Sequence, residues 1–155
     1  MATDRLVFPI TQKNILISGS NVQSFTVGAT AVKAGQVVSI SAAGDSWTVI
    51  PCIAEAGSQP VGVAMADVAA AGKVDVACIG CIAYVSNYSS DVNIDAGHYV
   101  TMNDSMTPLG GTVIECPAAS TTVELIGLMI EDSTAASLGL EAMLVLCGAM
   151  YAECD

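Results

Sequence analysis

The sequence predicts a mostly β protein: a compact barrel or sandwich built from two similar half-repeats, with an extended N-terminal arm. Three observations carry this. Two phrases recur in the same order, VKAGQVVSIS from Val32 being answered by IDAGHYVTMN from Ile94, and PVGVAMADVAAAGKVDVACIGCIAYV from Pro60 by LIGLMIEDSTAASLGLEAMLVLCGAMY from Leu125. Gly35 and Gly97 lie 62 positions apart and Gly62 and Gly127 65, a difference that a small loop insertion absorbs; recurrence at near-constant spacing marks a repeated structural unit. The runs themselves are short, rich in Val, Ile and Thr, and bounded by glycine or small polar residues, as strands are. Finally, the only plausible helical turns, ADVAAAG and DSTAASLG, sit at matched places in the two halves and are too short to be stable helices alone. They are read as turns or crossovers.

Taken in order, residues 1–20 form the arm, with Phe8-Pro9 and the apolar run Ile15 to Ile17 ending at Ser18-Gly19. The proline argues against a central strand but allows an edge strand, or an extended segment laid on another surface. Residues 21–155 are expected to form a single β domain, with half-repeats at about 31–85 and 93–151. Its strands begin with SFTVGA, QVVSIS and SWTVIPCIA, the last two joined by a hairpin turn at Ala42-Ala43-Gly44-Asp45. VGVAM and KVDVACIGCIAYV follow, joined by ADVAAAG. Read as one strand, the latter puts Val74, Val76, Cys78, Gly80, Ile82 and Tyr84 on one face and Asp75, Ala77, Ile79, Cys81, Ala83 and Val85 on the other. Both faces are mostly apolar, as in a strand covered on both sides or lying inside an oligomer. The second copy repeats the plan with HYVTM, a loop DSMTPLGG, then TVIEC, VELIGLMI and LEAMLVLCGAMY. A half-repeat of this size is marginal alone, so the halves are expected to share one core.

Composition narrows the function. Hydrophobic residues make up 53% of the chain and charged residues only 12%, with a mean hydropathy of +0.63. The longest uncharged apolar runs fall short of the roughly 18 residues that span a bilayer, and Glu141 interrupts the most hydrophobic one, so no membrane partner is expected. The excess apolar surface is instead read as partner-facing. Fifteen acids against four bases give a formal charge of −11, which disfavours nucleic acid as a partner. Residues 1–17 carry Arg5 and Lys13 against Asp4, a net of +1, whereas the remainder carries Lys33 and Lys73 against 14 acids, a net of −12. An arm of opposite sign to its own body suits docking elsewhere. The start of the chain lacks a charged stretch leading into an apolar core, so synthesis inside a cell and reduced cysteines are expected.

Chemistry-bearing patterns are sparse, and no enzyme, cofactor or metal is predicted. Cys78 and Cys81 form a lone CxxC with no second pair to complete four ligands, and the thiols read as small buried hydrophobes. His98 is the only histidine and reads as a strand residue at a barrel or subunit surface. Glu131-Asp132 reads as a solvated turn, Asp91, Asp95 and Asp104 lack the spacing of a calcium loop, and Leu109-Gly110-Gly111 lacks the Lys and Ser or Thr of a phosphate loop. No nucleophile has a plausible base.

The order of AGxxV, hairpin, VGVA, loop with AAG, and long strand with a central glycine resembles phage capsid decoration (cement) proteins. It is similar, more distantly, to the lambda-type head decoration protein. The residues carrying this are Ala34, Gly35, Val38, Val61, Gly62, Val63, Ala64, Ala71, Gly72 and Gly80, with Gly97, Gly127 and Gly148 in the second half. The resemblance implies a β-rich virion protein on the outer capsid surface, with the major capsid protein and further copies of itself, as a homo-trimer, for partners. The arm residues Arg5, Phe8, Pro9, Ile15 and Ile17 are the capsid-contact candidates. Two alternatives stand beside it. AGQVV is similar to the hairpins of biotinyl and lipoyl carrier domains, although neither Lys33 nor Lys73 has a carrier lysine's setting, and a cellular surface-layer or shell subunit would share this composition.

Overall fold

The computed structural model describes residues 15–41, 47–52, 59–86, 94–102, 111, 113–115, 122–133, 140–147 and 151–153. Among these residues all regular structure is strand: β1 (Leu16–Ser18), β2 (Val22–Val27), β3 (Val37–Ile40), β4 (Thr48–Pro51), β5 (Pro60–Ala64), β6 (Lys73–Ala77), β7 (Ile82–Ser86), β8 (Tyr99–Met102), β9 (Val113–Glu115), β10 (Thr122–Glu124), β11 (Gly127–Met129), β12 (Leu140–Val145) and β13 (Tyr151–Glu153). Strands β2-β4-β3-β5-β6 close a barrel, β1-β7-β12-β11-β8-β9 form an open sheet, and β10 pairs with β13. The mostly β architecture is as the sequence predicts. The hairpin turn expected at 42–45 lies outside the described residues, as does the DSTAASLG turn apart from its first two residues.

Barrel and sheet are the same pairing diagram written twice. Advancing β2 by 60 residues, β3 by 62, β4 by 64, β5 by 65 and β6 by 67 turns barrel pairs into sheet pairs. Thr26↔Lys73 becomes Ser86↔Leu140, and Val38↔Gly62 becomes Val100↔Gly127. Ala64↔Val76 becomes Met129↔Met143, and Ile40↔Val49 becomes Met102↔Val113. The turns agree as well. Asp67 Oδ1 accepts from the Ala34 N–H at 2.9 Å and Asp132 Oδ1 from the Ala96 N–H at 2.8 Å, while Val32 bridges Val68 as Ile94 bridges Ser133. Gly35 and Gly97 hold φ of +84° and +88°, the left-handed region that glycine enters most readily. At Gly62 a Cβ would strike the carbonyl of Ala77, and at Gly127 the Met143 side chain and the carbonyl of Leu144, 2.5 Å away. Both glycines are therefore places where two strands come too close for any side chain.

One sequence reading changes. The run from Val74 to Val85 is two strands: Gly80 at φ +88° and a Cys81 N–H to Cys78 carbonyl bond of 3.1 Å turn the chain between β6 and β7. In the pairing diagram β7 corresponds to β2, so the repeated unit starts one strand earlier than the sequence phrases do.

The repeats close differently. In the barrel, β2 and β4 pair in parallel (Thr26↔Thr48, Val27↔Val49), and the Thr26 N–H donates to the Trp47 carbonyl at 2.8 Å. The matching residues in the second half are Ser86 and Gly111, and they bond to the first half instead. The Ser86 N–H donates to the Gly35 carbonyl at 2.7 Å, the Val37 N–H to the Gly111 carbonyl at 2.7 Å, and the Gly111 N–H to the Cys52 carbonyl at 2.8 Å. Residues 35–37 thus sit as a wedge in the seam where β7 and β9 would meet. Farther along β7, β1 takes the edge, pairing Leu16 with Ala83, and the Tyr84 N–H donates to the Ile15 carbonyl at 2.8 Å.

Two apolar clusters follow from this geometry. Phe25, Val27, Val38, Val49, Ala64, Val74 and Val76 fill the barrel. The second cluster joins the barrel's outer side, at Val37, Val63 and Ala77, to the inner face of the sheet, at Ala83, Val85, Val100, Val113, Met129, Met143 and Val145. At roughly 1.5–3 kcal/mol per large apolar side chain removed from water, this shared core binds the halves together more strongly than the few wedge hydrogen bonds do.

Candidate interaction surface

A strand's side chains alternate between faces and directly paired residues share one, so the sheet's outer face can be read from its register. Ser18 pairs with Ile82, Ile82 with Leu144, Leu144 with Leu128, and Leu128 with Tyr99. This is a file of cross-strand neighbours running over five strands. Tyr99 is 46% exposed, Ile82, Leu128 and Leu144 are half-buried, and Ile130, continuing the outward pattern past β11, is 44% exposed. The alternate residues Ala83, Met143, Met129 and Val100 are buried in the shared core. No residue of the file is charged. An antiparallel sheet with one face in water usually sets polar residues outward; in this file only Ser18, at the edge, is polar apart from the Tyr99 hydroxyl.

The predicted contact residues divide. Arg5, Phe8 and Pro9 lie outside the described residues. Ile15 is buried in the chain's own core and anchors β1. Ile17 falls between Leu16 and Ser18, where the register shifts against β7, and stands 46% exposed at this edge of the sheet.

Several of the described charged residues hold turns and strand ends. Asp67 receives the Ala34 N–H and pairs with Lys33 at 3.5 Å. The turn at 131–132 is exposed, as predicted, and it also holds the backbone: Asp132 receives the Ala96 N–H, and Glu131 Oε2 receives the Ala142 N–H at 3.1 Å. Sequence reasoning missed these roles, although Asp67 and Asp132 occupy matched places in the repeat. His98 precedes β8 in a turn rather than lying within a strand, and its Nδ1 pairs with Glu115 on β9. The hydrogen bond and charge of Glu115 raise its pKa above the ordinary 6.5. Lys73 Nζ donates to the Thr26 hydroxyl at 2.8 Å. Cys52, Cys78, Cys81 and Cys147 are buried. Burial, with the neighbouring Cys81, pushes the Cys78 thiol up, which keeps it protonated and a poor nucleophile or metal ligand. Among the described residues no cluster of three His, Cys, Asp or Glu side chains could hold a metal ion, and no helix is long and apolar enough to cross a membrane.

No protein-family model matches the chain. No curated protein matches it. Among solved structures it is similar to the head fibre gp8.5 N base of bacteriophage phi29, at 21% identity and a TM-score of 0.56, over 80% of this chain and 93% of that one. At that identity the likeness is one of fold.

Proposed function

We propose that this chain is a noncatalytic structural protein of a phage virion, which binds the outer surface of an icosahedral head and stabilises contacts between capsomers as a homo-trimer. The observation that carries the proposal is the shared architecture with a phage head fibre base, extending over 93% of that structure. The uncharged file of apolar residues on the outer sheet face supports it, since an exposed patch of that kind serves association. The contact with the major capsid protein is assigned to the arm, through Arg5, Phe8, Pro9 and Ile17. Ile15 has the different task of holding the arm's base to the body.

The carrier reading is disfavoured by the lysines: Lys33 is paired with Asp67 and Lys73 is bonded to Thr26 on the barrel wall. Gradient sedimentation of lysate from producing cells tests the proposal. The chain is expected to co-migrate with particles of capsid mass, in simple ratio to the main shell protein; recovery only as a free small oligomer would overturn it. A truncation lacking residues 1–13, which spares Ile15 and β1, is expected to lose head binding while its melting curve is kept.

A further inference from the structure

We infer that copies of this chain meet through the outer face of the open sheet, along Ile82, Leu144, Leu128, Tyr99 and Ile130. The inference extends the self-association proposed above by naming the surface that performs it. In the pairing diagram, Tyr99, Leu128 and Leu144 occupy the positions of Val37, Val63 and Ala77 on the barrel. Those three barrel residues are fully buried, because the second half lies over them. Among the described residues nothing lies over Tyr99 or Ile130 in the same way. Where the barrel's outer face does meet water it carries Ser24, Lys73 and Asp75, all exposed. Their counterparts Tyr84, Leu140 and Ala142 are apolar, and for Tyr84 and Leu140 the chain itself supplies a reason, since both pack against the shared core. Among the described residues no such packing on the shared core involves Tyr99, Leu128, Leu144 or Ile130.

Charge selects the occupant. A basic partner recognised by this acidic protein would be met by carboxylates, as complementary interfaces are. The file holds none, while Asp95, Glu131 and Asp132 stand exposed in the turns that flank it. Around a three-fold axis, neighbouring copies can therefore bring this same uncharged face together without apposing like charges at its centre, and Tyr99 offers the ring-and-hydroxyl surface favoured at interface cores. Five strands about 4.8 Å apart, with outward residues over roughly 12 Å of their length, give a footprint of about 290 Å². That is an ordinary size for an exposed patch on a monomer and well below the roughly 800 Å² per partner of a standard interface. Association through it is accordingly reversible, and is strengthened by salt that screens the acidic rim.

Sedimentation velocity of the full chain, over a concentration series reaching about 100 μM and at low and high salt, tests this. The wild type is expected to associate with concentration, more so at high salt, and Tyr99→Glu with Ile130→Glu to weaken association at least tenfold. Tyr99→Ser should weaken it to a lesser degree, and Ser24→Glu, on the barrel's wet face, should leave it unchanged. Unaltered melting curves guard against misfolding, and Tyr99→Ser keeps the test open if the charged pair fails to fold. A monomeric wild type throughout the series, or undiminished association in both Tyr99 variants, would overturn the inference. Wild type that associates through this face but ignores phage heads overturns the virion proposal alone; wild type that binds heads as a monomer overturns this inference and the trimer with it, and leaves the head-binding proposal standing.

Discussion

The two halves of this molecule run the same pairing diagram to different ends. The first closes on itself through β2 and β4; the second is held open by residues 35–37 and by β1. The difference lies in what each seam residue is able to do. Trp47, at the barrel seam, carries a side chain at φ +65° and packs it against Phe25 in a tilted contact, with ring centroids 5.5 Å apart. Gly111 takes the matching place at φ +80°, where a Cβ would come within 2.8 Å of the Gln36 Cβ and 2.9 Å of the Val37 carbonyl oxygen. A bare residue admits the wedge, whereas a tryptophan leaves the barrel to close alone. The outer faces differ as well: Val37, Val63 and Ala77 are covered within the chain, whereas Tyr99, in the place of Val37, stands exposed.

The largest expected effect comes from striking that seam. Gly111→Ala combines a left-handed backbone with contacts against Gln36 and Val37 and should destabilise by about 3 kcal/mol, read by urea unfolding. Gly97→Ala is the companion experiment. Gly97 has a similar φ but nothing within 4 Å of its Cβ position, so only the backbone cost of about 1 kcal/mol is expected. Equal losses at the two sites would mean that the wedge contributes nothing.

Asp67→Ala and Asp132→Ala probe what the halves have in common. Each removes one acceptor from a turn N–H and should cost about 1 kcal/mol, with the Lys33 pair adding little at Asp67 because both groups are partly exposed. A loss confined to one of the two would break the equivalence of the turns.

The smallest effect is a pH dependence that belongs to the second half alone. His98 stands where the barrel has Gln36. Because its folded pKa is raised, the stabilisation it contributes is fully present below its ordinary 6.5 and lost as pH rises through the raised value. Melting curves over a pH series should show this, and His98→Gln, which installs the barrel's residue, should flatten that step.

Much of the fold was legible because repetition and alternation are local signals. The phrases at Val32 and Ile94 became matched bridges, and Gly62 and Gly127 became matched close approaches. The break at Cys78 to Cys81 was not legible, since an apolar run alternates equally well whether it continues as one strand or turns at a glycine into the next. Ile15 and Ile17 read alike in the arm, but only one of them meets the core.

By itself, then, the amino-acid sequence determined a β protein in two similar parts, with more apolar residues than one small core consumes, because side-chain period and composition act over a few residues at a time. Only the tertiary structure decided which half closes, which glycine admits the wedge and which apolar face is left uncovered. Those outcomes depend on contacts between residues as distant as Gly35 and Ser86 or Val37 and Gly111, and no local pattern encodes which of two equivalent edges such a segment will fill.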